Sequence, residues 1–161
     1  MKVIVFSDSH RDIDTMEKVA VLEKPDMVLH LGDHAADGAE LDLRLPDIPV
    51  VIVSGNCDLW TAVADEKFID LDGIKILMTH GHNYGVRAGY SNLISEGRKR
   101  GADLILCGHT HIPKLIKKKD IILMNPGKAG KFSRGPHKPT YGKIDTNAEP
   151  MCSIIKISSI I

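Results

Sequence analysis

Five short apolar runs in this chain each stop just before a side chain of the kind that binds metal. Val3-Ile4-Val5-Phe6 precedes Asp8 and His10, and Met27-Val28-Leu29-His30-Leu31 precedes Gly32-Asp33. Val50-Val51-Ile52-Val53 precedes Asn56, Ile74-Lys75-Ile76-Leu77-Met78 precedes His80, and Leu104-Ile105-Leu106-Cys107 precedes His109 and His111. Runs of this length, bounded by glycine and polar residues, predict buried strands. Chemistry in open α/β sheets collects beyond the carboxyl ends of the strands, and Gly32 lets the chain turn sharply beside a ligand. One histidine after one strand means little. Seven Asp, Asn and His side chains after five strands predict a metal centre.

The stretches between these runs set the architecture. Asp12 is a candidate cap for a helix to about Glu23, with Ile13, Met16, Val19, Ala20 and Leu22 on its apolar face and Pro25 beyond its end. With the strand at 26–31 this makes a right-handed βαβ opening. Residues 34–47 predict a short helix or irregular segment, because Leu41, Leu43 and Leu45 alternate rather than share one face. Strands at 66–70 and 74–78 flank the turn Leu71-Asp72-Gly73, and a basic helix spans 89–100. After the strand at 103–107 the pattern turns all-β: a hairpin at 113–117 and 120–124, then a closing pair at 139–146 and 151–158. Strands without intervening helices predict a second sheet facing the first. The expected fold is one α/β domain over residues 1–161, two facing mixed β-sheets flanked by helices in a four-layer αββα sandwich. The loop 127–139 is polar and basic, and is the segment expected to be mobile and solvated.

Composition removes several alternatives. The 161 residues carry 21 basic and 21 acidic side chains, so no global charge draws the chain to nucleic acid or anionic lipid. Aromatic residues are only 4%, which leaves no stacking platform for an extended nucleic-acid groove. No apolar run approaches a membrane span, and Met1-Lys2 leads directly into a strand. Three cysteines fit neither a zinc ribbon nor a redox pair and point to a reducing, cytoplasmic location.

Donor chemistry narrows the metal. A structural zinc site takes four ligands and favours thiolates. Seven N/O donors exceed one ion's needs and fit two ions sharing a carboxylate. Two carboxylates against two divalent ions leave about two positive charges, and a bridging hydroxide takes this to about one, suited to a single negative phosphoryl group.

The motifs Asp8-Ser9-His10, Gly32-Asp33, Gly55-Asn56-Cys57-Asp58, Thr79-His80-Gly81-His82 and Gly108-His109-Thr110-His111 resemble those of the metallophosphoesterase (calcineurin-like) family. Within it they resemble the small bacterial and archaeal phosphodiesterase branch, related in fold to the retromer subunit vacuolar sorting protein 29. The resemblance covers nearly the whole chain, and Asn125-Pro126-Gly127 adds a turn this branch carries. It implies one divalent ion on Asp8, His10, His111 and a bridging Asp33, and a second on Asp33, Asn56, His80 and His109. It further implies a catalytic core of Asp33, Asn56 and His80, with a metal-bridging hydroxide attacking phosphorus in line. The donors admit Mn, Fe, Zn, Co or Ni, with manganese the expected choice.

One position departs from many family members, which place histidine directly after the metal-binding asparagine. Here it is Cys57, as in the small diesterase branch. A thiol carries no positive charge and donates weakly, which disfavours dianionic monoesters more than diesters with acidic leaving groups. Cys57 is read as a pocket wall rather than a nucleophile, and His82 and Arg134 as candidate substrate contacts, Arg134 for its bidentate grip. His82 also fits a supporting or packing role, and Asp58 can orient the Asn56 loop. His30 is expected buried and hydrogen-bonded, and His34 exposed. The expected activity is phosphodiester hydrolysis of a small, nucleotide-like substrate. The rivals are a phosphomonoesterase or nucleotide pyrophosphatase of the same fold, and a non-catalytic interaction scaffold like the retromer subunit. Hairpin edges allow self-association as a homo-oligomer.

Overall fold

Alternation within the first strand explains the layering. In β1 (Lys2–Phe6), Val3 and Val5 face one core while Ile4 and Phe6 face another, and all four are fully buried. A strand buried on both faces reads as a continuous apolar run, as this one does. The computed structural model describes residues 1–132, 136–148 and 151–161.

The chain runs β1, α1 (Ile13–Glu23), β2 (Met27–His30), α2 (Ala35–Arg44), β3 (Val50–Ile52), β4 (Glu66–Leu71), β5 (Ile74–Thr79), α3 (Ser91–Lys99) and β6 (Leu104–Leu106). It continues through β7 (Lys114–Lys117), β8 (Ile122–Asn125), β9 (Thr140–Asp145) and β10 (Cys152–Lys156). The strands form two mixed five-stranded sheets, ordered β10-β9-β1-β2-β3 and β4-β5-β6-β8-β7. Val3, Val5, Leu29 and Val53 from the first sheet meet Ile76, Met78, Leu104, Leu106 and Met124 from the second in the central core. Outside the first sheet, Ile4, Phe6 and Val28 pack on Met16, Val19 and Leu41 of α1 and α2. Outside the second, Leu77, Ile105 and Leu123 pack on Leu93 and Ile94 of α3. This is the expected sandwich of two sheets flanked by helices. Each large side chain so buried contributes about 1.5–3 kcal/mol.

Register aligns the strand tips. Phe6 pairs with His30 and His30 with Ile52, while Met78 pairs with Leu106 and Leu106 with Met124, all in parallel. Six parallel strands therefore stop at matching levels, three from each sheet.

Three expectations need correction, and the open reading of 34–47 resolves to helix. The closing hairpin β9–β10 joins the first sheet, not the second: β9 pairs antiparallel with the free edge of β1, Lys2 opposite Asp145 and Val5 opposite Gly142. Residues 35–44 are a regular helix that buries Ala35, Gly38, Leu41 and, just beyond it, Leu45, while Leu43 is 79% exposed. The alternation 41-43-45 hid this face, because Gly38 supplies contact without an apolar side chain; a Cβ there would lie 3.1 Å from Ile52. Asp12 sits at the N-cap of α1 without capping it. Its carboxylate instead accepts from the Lys131 backbone N–H at 2.9 Å. Finally, residues 127–130 are buried rather than solvated, Lys128 being 3% exposed. Ala129 N–H donates to the Ser7 carbonyl at 2.8 Å and Gly130 N–H to that of Asp8 at 3.4 Å, clamping this segment along the loop after β1. Among the described residues no helix is long and apolar enough to cross a membrane.

Candidate metal centre

The tips of β1, β2, β5 and β6 bring their acidic and histidine side chains into two adjoining groups. Asp8, His10, Asp33 and His111 present ligand atoms that all lie within 4.8 Å of one another, and Asp33, His80 and His109 do the same. Asp33 belongs to both.

Backbone conformation puts them there. Asp8, His10, Asp33, His109 and His111 all have positive φ, between 44° and 68°. Left-handed backbone is uncommon outside glycine and clusters at functional sites. Two glycines permit the loops to meet. A Cβ on Gly32, at φ +88°, would lie 2.5 Å from the Gly55 nitrogen, and one on Gly108 would lie 1.9 Å from Ser7 Oγ.

Each group is oriented from outside. Asp8 Oδ2 accepts from the Ser7 hydroxyl at 2.7 Å and from His109 N–H at 3.2 Å, which leaves Oδ1 facing inward. His80 Nδ1–H donates to the Leu31 carbonyl at 2.7 Å, turning the Nε2 lone pair toward Asp33 Oδ1, 3.3 Å away. Asp33 Oδ1 accepts from Cys57 N–H at 2.9 Å. Beneath them, Gly32 N–H donates to His30 Nδ1 at 3.3 Å, so His30 Nε2–H donates to Ser9 Oγ at 3.0 Å, and Ser9 donates to Asp37 at 2.7 Å. His30 is buried and hydrogen-bonded as expected. Asp58 accepts from both Ala35 N–H at 2.7 Å and Gly55 N–H at 2.8 Å, tying the Asn56 loop to the start of α2.

The donor set fits divalent cations. Asp8 Oδ1, His10 Nε2, His80 Nε2 and His109 Nδ1 are buried and have no hydrogen-bond partner among the described residues. His111 Nε2 lies 3.0 Å from Asp8 Oδ1. Buried polar atoms left unpaired are costly, and lone pairs this close repel unless a cation lies between them. Oxygen and imidazole nitrogen without thiolate suit first-row divalent ions.

Titration follows the same geometry. Burial works against the Asp33 charge, but in the metal-free centre the protonated form of His80, together with Cys57, outweighs it and holds the Asp33 carboxyl well below the usual range. Burial opposes the His80 imidazolium, yet Asp33, Asp8 and the Leu31 carbonyl raise its pKa. Burial, then the charges of His80 and Arg87, lower His109 to about 4. Burial and the Asp33 charge push the Cys57 thiol up to about 11, which keeps it protonated near neutrality.

The remaining predicted residues divide. Asn56 is exposed on the 54–58 loop, its amide donating to Cys57 Sγ at 3.5 Å. His82 lies 5.5 Å from the His80 ring and 6.1 Å from that of His109, beside the second group. His34 is half-buried rather than exposed, edge-on to His10 at 4.9 Å. Arg134 lies outside the described residues.

Three supports were not foreseen as such, and two of them, Asp37 and Gly130, had no local signal in the sequence. Asn125 donates to the Gly108 carbonyl at 2.7 Å and to Thr110 Oγ1 at 3.0 Å, bracing the loop between His109 and His111. Asp37 anchors Ser9 and also Arg11 N–H, at 2.6 Å. Gly130 lets the 127–130 segment pass, since a Cβ there would lie 2.0 Å from the Ser9 carbonyl oxygen. Toward Asn125 the hints were the turn Asn125-Pro126-Gly127 and its place at a sixth parallel strand tip, that of β8.

Facing mixed sheets whose parallel strand tips hold two carboxylate–histidine groups with a common aspartate define the class to which this chain belongs. Residues 1–149 match the family model of the calcineurin-like phosphoesterase superfamily domain, and the chain is a member of that family. It is similar to the probable metallophosphoesterase YsnB of Bacillus subtilis, 33% identical over 130 residues that cover 79% of this chain and 74% of that one. It is 25% identical over 173 residues to the phosphodiesterase MJ0936 of Methanocaldococcus jannaschii, with 96% and 99% covered. Its fold is similar to that of a Vps29 single mutant from Entamoeba histolytica, with a TM-score of 0.78 at 20% identity, covering 97% of this chain and 99% of the other.

Proposed function

We propose that this protein is a metal-dependent phosphodiesterase acting on a small phosphodiester. Asp8, His10, Asp33 and His111 would hold one divalent ion, and Asp33, Asn56, His80 and His109 a second. The observation that carries this reading is the convergence of unpartnered buried lone pairs on either side of one shared carboxylate. When bound, two such ions acidify a water and neutralise charge gathering on phosphoryl oxygens.

The chain's own residues do the rest. Asp33 stays ionised and so keeps its charge available to both sides. The Leu31 carbonyl fixes the His80 tautomer, so that Nε2 presents a lone pair. Cys57, held neutral beside Asp33, brings no positive charge to a leaving oxygen or to a dianionic ester. Diesters with acidic leaving groups need little such help, whereas monoesters do. Hydrolysis adds water across one P–O bond and releases a phosphomonoester and an alcohol. Three free thiols among the described residues fit a reducing, cytoplasmic setting.

The test uses protein stripped with chelator and reloaded with manganese, on a nitrophenyl diester and the matching monoester. Diester cleavage restored by metal, with the monoester at least roughly tenfold slower, is expected. No turnover with any divalent ion overturns the reading and leaves the scaffold alternative.

A further inference from the structure

Next to His111 the surface opens into a cleft of about 600 Å³, lined by residues 86–90, 110–112, Lys114, Lys128, Pro136 and His137. That volume suits a small organic ligand rather than a lone ion. Val86, Tyr90 and Ile112 give it apolar walls, and Tyr90 is set by its hydroxyl, 3.5 Å from Thr110 Oγ1. Arg87, Lys114 and Lys128 bring positive charge to the same lining, which contains no acidic side chain among the described residues.

This grouping is unusual for a chain whose charges balance at 21 and 21. The other described arginines on helices are tied down, Arg44 to Asp14 at 2.8 Å, Arg98 to Asp120 at 2.8 Å and Arg100, at the end of α3, to Glu66 at 2.7 Å. Arg87 and Lys114 make no ion pair with a described residue. The cleft abuts the first ligand group directly, because His111 belongs to both.

We propose that this cleft is a subsite for a second anionic group on the substrate, so that the preferred diester carries a nucleoside-sized arm bearing a further phosphate. The proposal rests on the phosphodiesterase reading above. Tyr90 and Ile112 flank the apolar body of that arm, and Arg87 with Lys114 receives its phosphate through charge-assisted hydrogen bonds. A diester whose arms are both uncharged leaves these cations unused.

Binding and turnover test this separately. Calorimetric titration of metal-free protein with thymidine 3′,5′-bisphosphate and thymidine 5′-monophosphate should show the bisphosphate binding on the order of tenfold tighter. Arg87→Gln with Lys114→Gln should bring the two affinities together. Both side chains are exposed, and an unchanged melting temperature would show that the fold is kept. Equal affinities in the wild type, or a preference that survives both substitutions, overturns the subsite. With manganese-loaded enzyme, the nitrophenyl ester of thymidine 5′-phosphate should gain a lower KM when it carries a 3′-phosphate, and equal KM values also overturn it. Absence of all diester turnover with the bisphosphate preference intact would strike the proposed activity while the subsite stands.

Discussion

The two halves of the candidate metal centre are built differently, although they share Asp33. On one side His80 is fully buried and anchored by a backbone carbonyl. On the other, His10 and His111 are partly exposed on left-handed loops, the first held by a relay of side chains through Ser9, His30 and Asp37 and the second braced by the Asn125 side chain. Backbone support survives most substitutions and changes of pH, whereas a side-chain relay does not. The comparison teaches that the His80 side is the fixed wall of the centre and the His111 side its adjustable, open face. The cationic cleft lies on that open face.

Removing what the halves share should have the largest effect. Asp33→Ala is expected to lower metal-dependent diester turnover by roughly 10³-fold or more and to remove both ions. Elemental analysis after dialysis, beside kcat, checks this; full activity with one ion retained would mean that the halves are independent. Gly32→Ala comes next, because its Cβ would enter the Gly55 backbone at 2.5 Å, whereas Gly85→Ala meets open space at a similarly positive φ. Denaturant unfolding should show losses of about 3 kcal/mol for the first and about 1 kcal/mol for the second.

Two milder changes separate the halves directly. His80→Ala should weaken metal affinity roughly 100-fold and His111→Ala roughly tenfold, measured by competition with a chelating dye. The reverse order would exchange the fixed and open sides. Acid should act on the relay. Burial lowers His30 to about 4 from an ordinary 6.5, so between those values the unfolded chain binds the proton more readily. Stability therefore falls as the pH drops from 6.5 toward 4, by roughly 2–3 kcal/mol from this residue. His30→Gln should flatten the slope of melting temperature against pH over that window in metal-free protein. The smallest effect is expected at Cys57→Ala: the thiol is neutral, so diester turnover should change less than about threefold, and a larger loss would give Cys57 a direct part in the reaction.

The strand tips were legible because an apolar run followed by Asp or His is local information, and Asp8, His10, Asp33, His80, His109 and His111 lie where such runs end. The sandwich was legible for the same reason. Partnering across the chain was not: β9 could have joined either sheet, and only the free edge of β1 decides it. The face of α2 was obscured because Gly38 contributes an absence of side chain and Leu43 points to solvent. Asn125, Asp37 and Gly130 work through neighbours 15 to 121 positions away, and even the turn Asn125-Pro126-Gly127 does not announce which loop its asparagine braces.

The left-handed backbone at five ligand-bearing positions has a consequence for heat tolerance. Such residues cost on the order of 1–3 kcal/mol each, a strain that glycine would not feel. Selection for thermal endurance alone would therefore favour replacing the side chains that make the centre reactive. A search for hardier variants of this chain should erode its chemistry first, and a lineage freed from the reaction would drift toward a quieter, sturdier fold.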